Sequence, residues 1–147
     1  MKKLLLSLVL FFVSICVSAH TFNTKQKQLI SQISNYLSSQ GYSSEEQKDG
    51  LKFKNEGTNY FIEVSKEDKS PMFLRLCRYV KYSESIKQDV VVKQLNSYNA
   101  KLGVKVCSSE KGLVISAEMY VTSATEFTDV FATLLSQMKA TYKQITN

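Results

Sequence analysis

The sequence predicts an α+β fold: an antiparallel five-stranded sheet with helices on one face, in the order α-β-β-β-α-β-β-α. Three observations carry this. Residues Leu51 to Val80 alternate apolar and polar side chains between turn clusters, which is the period of half-buried strands. A second alternating pair follows at Val104–Cys107 and Leu113–Val121. Three other stretches repeat apolar residues every three or four positions, the spacing of one helical face. Strands grouped apart from helices point to an antiparallel sheet that the helices cover.

The chain starts Met1-Lys2-Lys3, followed by an apolar run from Leu4 to Val17 and then Ser18-Ala19. A basic start, a short apolar core and small residues are the pattern of a secretory signal peptide, with cleavage expected after Ala19. The run is shorter than the roughly 20 residues that span a bilayer. The alternative is a lipid anchor on Cys16, but Ile15 stands where that processing needs a small residue. Cleavage of the first 19 of 147 residues leaves 128, enough for one domain at 20–147 with one core. The expected product is exported, periplasmic or extracellular, with no integral membrane segment left.

Asn23 or Thr24 is placed to cap a first helix with Leu29, Ile30, Ile33, Tyr36 and Leu37 on one face, and Gly41 ends it. Tyr42 to Gln47 is polar and acidic. It can pair as a short edge strand before the Asp49-Gly50 turn, and it is left outside the count of five. Leu51 and Phe53, then Tyr60, Ile62 and Val64, then Met72, Leu74 and Leu76 supply the core side of three strands. Asn55-Glu56-Gly57-Thr58 and Lys66 to Pro71 turn the chain between them. Ser85 and Gln88 have capping-box spacing before a second helix with Ile86, Val90, Val91, Leu95, Tyr98 and Leu102. Ser123 and Glu126 repeat that spacing before a third, whose stripe is Phe127, Val130, Phe131, Leu134, Leu135, Met138 and Tyr142.

The net charge is +6, falling to +4 without Lys2 and Lys3, and the lysines are scattered rather than clustered. That distribution argues against nucleic acid as the partner. His20 is the one histidine, so neither a metal cluster of ordinary spacing nor a Ser-His-acid triad is assembled, and no cofactor is expected. Cys77 and Cys107 have no histidine to activate them. Glu63 and Glu118, on the outward side of strands, leave a paired-carboxylate enzyme as the alternative to a non-catalytic protein. A purely structural envelope protein is a third reading.

Most of the eight tyrosines and eight phenylalanines fall on core positions. Phe61, Tyr79 and Tyr120 do not; by parity they share the opposite face with Arg75 and Val114. Aromatic residues and arginine among polar neighbours are the composition of a protein-binding surface. Phe61, Arg75, Tyr79, Val114 and Tyr120 are therefore the candidate partner-binding residues, for another protein or for self-association.

The order of elements also resembles the YbjN family, whose members are labelled bacterial sensory transduction regulators. Gly41-Tyr42, Asp49-Gly50-Leu51-Lys52-Phe53, Tyr60-Phe61-Ile62-Glu63-Val64 and Phe73-Leu74-Arg75-Leu76 carry the resemblance. Leu95-Asn96, Lys105-Val106 and Gly112-Leu113-Val114-Ile115 continue it. The resemblance implies a fold like that of type III secretion chaperones and brings no catalytic residues. It also bears on the thiols. An exported chain with an even pair of cysteines invites a disulfide. In a chaperone-like sheet the last hairpin lies beside the third strand, with its longer strand, Leu113–Val121, inside. Cys77 and Cys107 then stand two strand spacings of about 4.8 Å apart, beyond the roughly 7 Å Cα separation of a bridge. They are expected to be unbonded.

Overall fold

A computed structural model describes residues 21–100 and 103–147. The expected signal peptide, Cys16, His20 and the helical position Leu102 lie outside the described residues. The elements in chain order are α1 (Thr24–Ser39), β1 (Ser44–Gln47), β2 (Gly50–Asn55), β3 (Thr58–Val64), β4 (Met72–Val80), α2 (Gln88–Asn99), β5 (Lys105–Ser109), β6 (Gly112–Val121) and α3 (Ala124–Thr146). The strands form one antiparallel sheet of six, ordered β1-β2-β3-β4-β6-β5. The expected count of five is thus one short. The polar segment Ser44–Gln47 pairs along β2 from Ser44↔Phe53 to Gln47↔Gly50. Its weak sequence signal has a physical cause: a short edge strand buries little, so it carries charge instead of an apolar face.

Alternate strand positions meet the helices in a single core. Leu51, Phe53, Tyr60, Ile62, Val64, Leu74, Leu76, Val106, Leu113 and Ile115 join Ile33 and Leu37 of α1, Val91 and Tyr98 of α2, and Phe127, Phe131, Leu135 and Met138 of α3. Phe131 is its aromatic hub. Its ring centroid lies 5.6 to 5.8 Å from those of Tyr36, Tyr42, Phe53 and Phe127. Fully burying one such ring stabilises the fold by about 1.5–3 kcal/mol before entropy.

The three helix starts differ. In α1 the expected cap forms: the Asn23 side chain accepts from the Gln26 N–H at 2.9 Å, and Gln26 Oε1 accepts from the Asn23 N–H at 2.8 Å. Gln26 is buried, and its amide also donates to the Ser65 carbonyl at 2.7 Å, tying the helix to the end of β3. The Ser85–Gln88 box does not form. Ser83 and Ile86 exchange two backbone hydrogen bonds, Ile86 turns into the core, and α2 starts two residues later than its position implied. Nor does the Ser123 side chain cap α3. Glu126 instead accepts from the Thr122 N–H at 2.8 Å and the Thr122 hydroxyl at 2.6 Å.

Two glycines are fixed by close approach rather than by the turn beside them. Gly50 and Gly112 each open a strand after a two-residue loop, with φ of 144° and 155°. A Cβ would fall 2.0 Å from the Ile62 carbonyl oxygen at Gly50 and 2.3 Å from that of Val80 at Gly112. Neither backbone oxygen has room to yield, so no other residue fits.

Cys77 and Cys107 are free among the described residues, and β6 lies between the strands that carry them. Cys77 is aligned with Ser116 and Cys107 with Val114.

Candidate functional site

Period-2 geometry sends the remaining side chains of β3, β4, β5 and β6 to the other face of the sheet. Pairing register sorts them into four rows. Phe73 is opposite Tyr120. Glu63, Arg75 and Glu118 are aligned across three strands. Phe61, Cys77, Ser116 and Lys105 form the next row, and Tyr79, Val114 and Cys107 the last. All five sequence-predicted residues are therefore on this outer face, and none belongs to the core cluster.

The structure brings them together unequally. Phe61 and Tyr79 meet edge to face with ring centroids 5.4 Å apart. Val114 is the cross-strand neighbour of Tyr79. Tyr120 is at the far end, where its partner ring is Phe73 at 5.4 Å. Phe73 was not among the candidates, although its parity with Arg75 and Tyr79 marks it as their neighbour. Tyr79 and Tyr120 are 51% and 67% exposed, so both aromatic pairs present open apolar surface.

Between the pairs runs the charged row Glu63–Arg75–Glu118, in which Glu63 makes the most side-chain contacts. Its carboxylate accepts two hydrogen bonds from the Arg75 guanidinium, one of them from Nε at 2.9 Å. It also accepts from the Tyr79 hydroxyl at 2.5 Å and from the Cys77 thiol at 3.4 Å. Glu118, on the other side of Arg75, is paired with Lys105 Nζ at 2.7 Å. Each carboxylate thus has a cation, which fixes its orientation and neutralises the row. From the sequence, Glu63 is a possible acid or base and part of the YbjN-like strand motif, with no sign of its partners. Its contacts with Arg75, Cys77 and Tyr79 follow from register, which no local pattern reveals.

Small residues at the centre of the face explain its one buried titratable group. Cys77 is fully buried between larger neighbours. Burial, then the Glu63 charge beside it, pushes its thiol up to about 12. Burial and the hydrogen bond to Glu63 also raise the Tyr79 hydroxyl. Both groups stay protonated at ordinary pH and act as donors, which is the opposite of an activated nucleophile. Among the described residues no group of three His, Cys, Asp or Glu side chains could hold a metal ion, and no helix is long and apolar enough to cross a membrane.

The architecture has a solved counterpart. The crystal structure of YbjN, described as a candidate transcription regulator from E. coli, superposes with a TM-score of 0.53. The match covers 80% of this chain and 87% of that one. The fold is that of YbjN. Sequence identity is 17%, so the likeness to YbjN is one of fold. No protein-family model matches the chain, and no curated protein does. The resemblance seen in the hairpin motifs is therefore shared architecture: the quoted YbjN-like segments are mostly turns and core positions. The outer-face rows are features of this chain's own side chains.

Proposed function

We propose that this is an exported, non-catalytic binding protein of YbjN-like fold that takes a protein partner, or a second copy of itself, on the outer sheet face. The carrying observation is the pair of open aromatic contacts, Phe61–Tyr79 and Phe73–Tyr120, on either side of a neutralised charge row. Exposed aromatic residues around an orientated arginine give an interface both apolar area and a polar register point. Glu63 and Glu118 are occupied by cations and Cys77 is held protonated, which supports binding over the carboxylate or thiol enzyme. YbjN is described as a candidate transcription regulator; the scattered lysines here favour a protein partner over DNA.

The test has two parts. N-terminal sequencing of the protein recovered from its cell envelope should begin at His20; a chain starting at lipid-modified Cys16 or retaining Met1 would correct the processing. Tyr79→Ser combined with Tyr120→Ser should leave a cooperative melt while abolishing self-association by sedimentation or partner capture by cross-linking in the envelope. If both readouts match the parent protein, the binding surface lies elsewhere.

A further inference from the structure

Arg78 is the one strongly cationic side chain on the core side of the central strand β4, in step with Leu74 and Leu76. It lies near the end of the sheet, beneath the last turns of α3. Its guanidinium carbon is 3.5 Å from the ring centroid of Tyr142 and 6.0 Å from that of Tyr60. Stacking on Tyr142 uses the flat face of the guanidinium and leaves its in-plane N–H donors unused. Among the described residues Arg78 has neither an ion pair nor a hydrogen bond. Where Arg78 faces the cavity its donors are free of protein acceptors, so a ligand oxygen can take them in place of water.

The surroundings specify that acceptor. Arg78 opens on a cavity of ≈ 480 Å³ between the β2–β3 turn and α3. That lies within the roughly 300–1,000 Å³ of small-molecule sites. Lys139 and Lys143, one helical turn apart on α3, line the same cavity, with hydroxyls from Thr58 and Ser136. Among the described lining residues one carries a carboxylate, Glu56, whose side chain is 77% exposed and paired with Lys139 at 2.9 Å. Three cations against one carboxylate leave a surplus of two positive charges, matching a dianion. A planar guanidinium is suited to two oxygens of one phosphate.

We propose that Arg78, Lys139 and Lys143 form a binding site for a small phosphate monoester or inorganic phosphate, separate from the outer-face surface. The aromatic stack pre-orientates Arg78, while the lysines on α3 supply charge from the opposite wall. Rings already in contact mean that little is lost in ordering the arginine when the anion arrives.

The experiment titrates the full mature chain with inorganic phosphate and with glycerol 3-phosphate at constant ionic strength set by chloride. Binding is followed by NMR shifts of the Arg78 Nε–H and by calorimetry. Saturable binding is expected, weakened about tenfold in Arg78→Lys, which keeps charge but loses the planar fork. Lys143→Met, a change at an exposed position, should weaken it about threefold and serves if the first variant fails to fold. A linear response equal to that of added chloride would overturn the proposal. So would undiminished affinity in a folded Arg78→Lys, or in Lys143→Met if that variant has to decide. Binding to phosphatidic acid vesicles without binding to either soluble phosphate would replace it with a membrane-surface role.

Discussion

Arg75 and Arg78 are three residues apart on the same strand and face opposite ways. Arg75, on the outer face, is tied by its N–H donors to Glu63, and its row is electrically closed. Arg78, on the helix side, is held by the ring of Tyr142 and keeps its donors open. The same contrast holds for the two faces as wholes. The covered face gains its strength from shape, through Phe131 and the four rings around it. The outer face is organised by polar contacts around one carboxylate and leaves its aromatic residues at the surface. One face is committed to stability and the other has apolar area still uncovered, so mutations on the two should differ in kind as well as in size.

The largest effect expected is on the covered side. Phe131→Ala removes a 1% exposed ring that touches four others and should cost about 3–5 kcal/mol in urea unfolding. A loss below about 1 kcal/mol would mean that this core repacks freely. The distinction between a packed face and an orientated one would then fail.

Next is the alkaline limit set by Cys77. Its folded thiol is pushed up to about 12 against an ordinary 9.0. Between those values the unfolded chain holds fewer protons than the folded one, so stability falls as pH rises. The thiol's contribution is complete below about pH 9 and lost through pH 12. The slope from this group is about 1.4 kcal/mol per pH unit. Cys77→Ala should flatten the stability–pH curve in that window relative to the parent. Parallel curves would show that the outer face does not seal the thiol from water.

The smallest effect is at Tyr120. Tyr120→Ser should change stability by less than about 0.5 kcal/mol, since the side chain is 67% exposed and meets one ring. A thermal melt shifted by many degrees would make Tyr120 part of the fold's support and remove it as a candidate for binding.

Much of this was legible in the chain. The helix faces around Ile33 and Phe131, the hairpin turns, the cap at Asn23 and the outward parity of Phe61, Arg75, Tyr79, Val114 and Tyr120 are all local signals, and the structure repeats them. The misses have local competitors. Ser85 matched a cap pattern, but the buried side chain of Ile86 holds that residue in the tight Ser83–Ile86 bridge. Ser44–Gln47 lacked an apolar face because an edge strand does not need one. Phe73 shares the parity of Arg75 and Tyr79, so its outward face is a local signal too. Arg78 carried no warning at all, because a core-side arginine looks like an interruption of the strand pattern until its ring partner on α3 is known.

The sequence by itself determined which side chains share a face. That follows from bond geometry: successive residues of a strand point to opposite sides, and a helix repeats every 3.6 residues. Only the tertiary structure decided which of them meet. Strand order put β6 between β4 and β5 and so kept the two thiols apart. Register set Glu63 beside Arg75, Cys77 and Tyr79. The packing of α3 brought Tyr142, 64 residues beyond Arg78, over its guanidinium. These are long-range choices, made by whichever arrangement buries the most apolar surface while pairing every strand. No window of local sequence contains both partners.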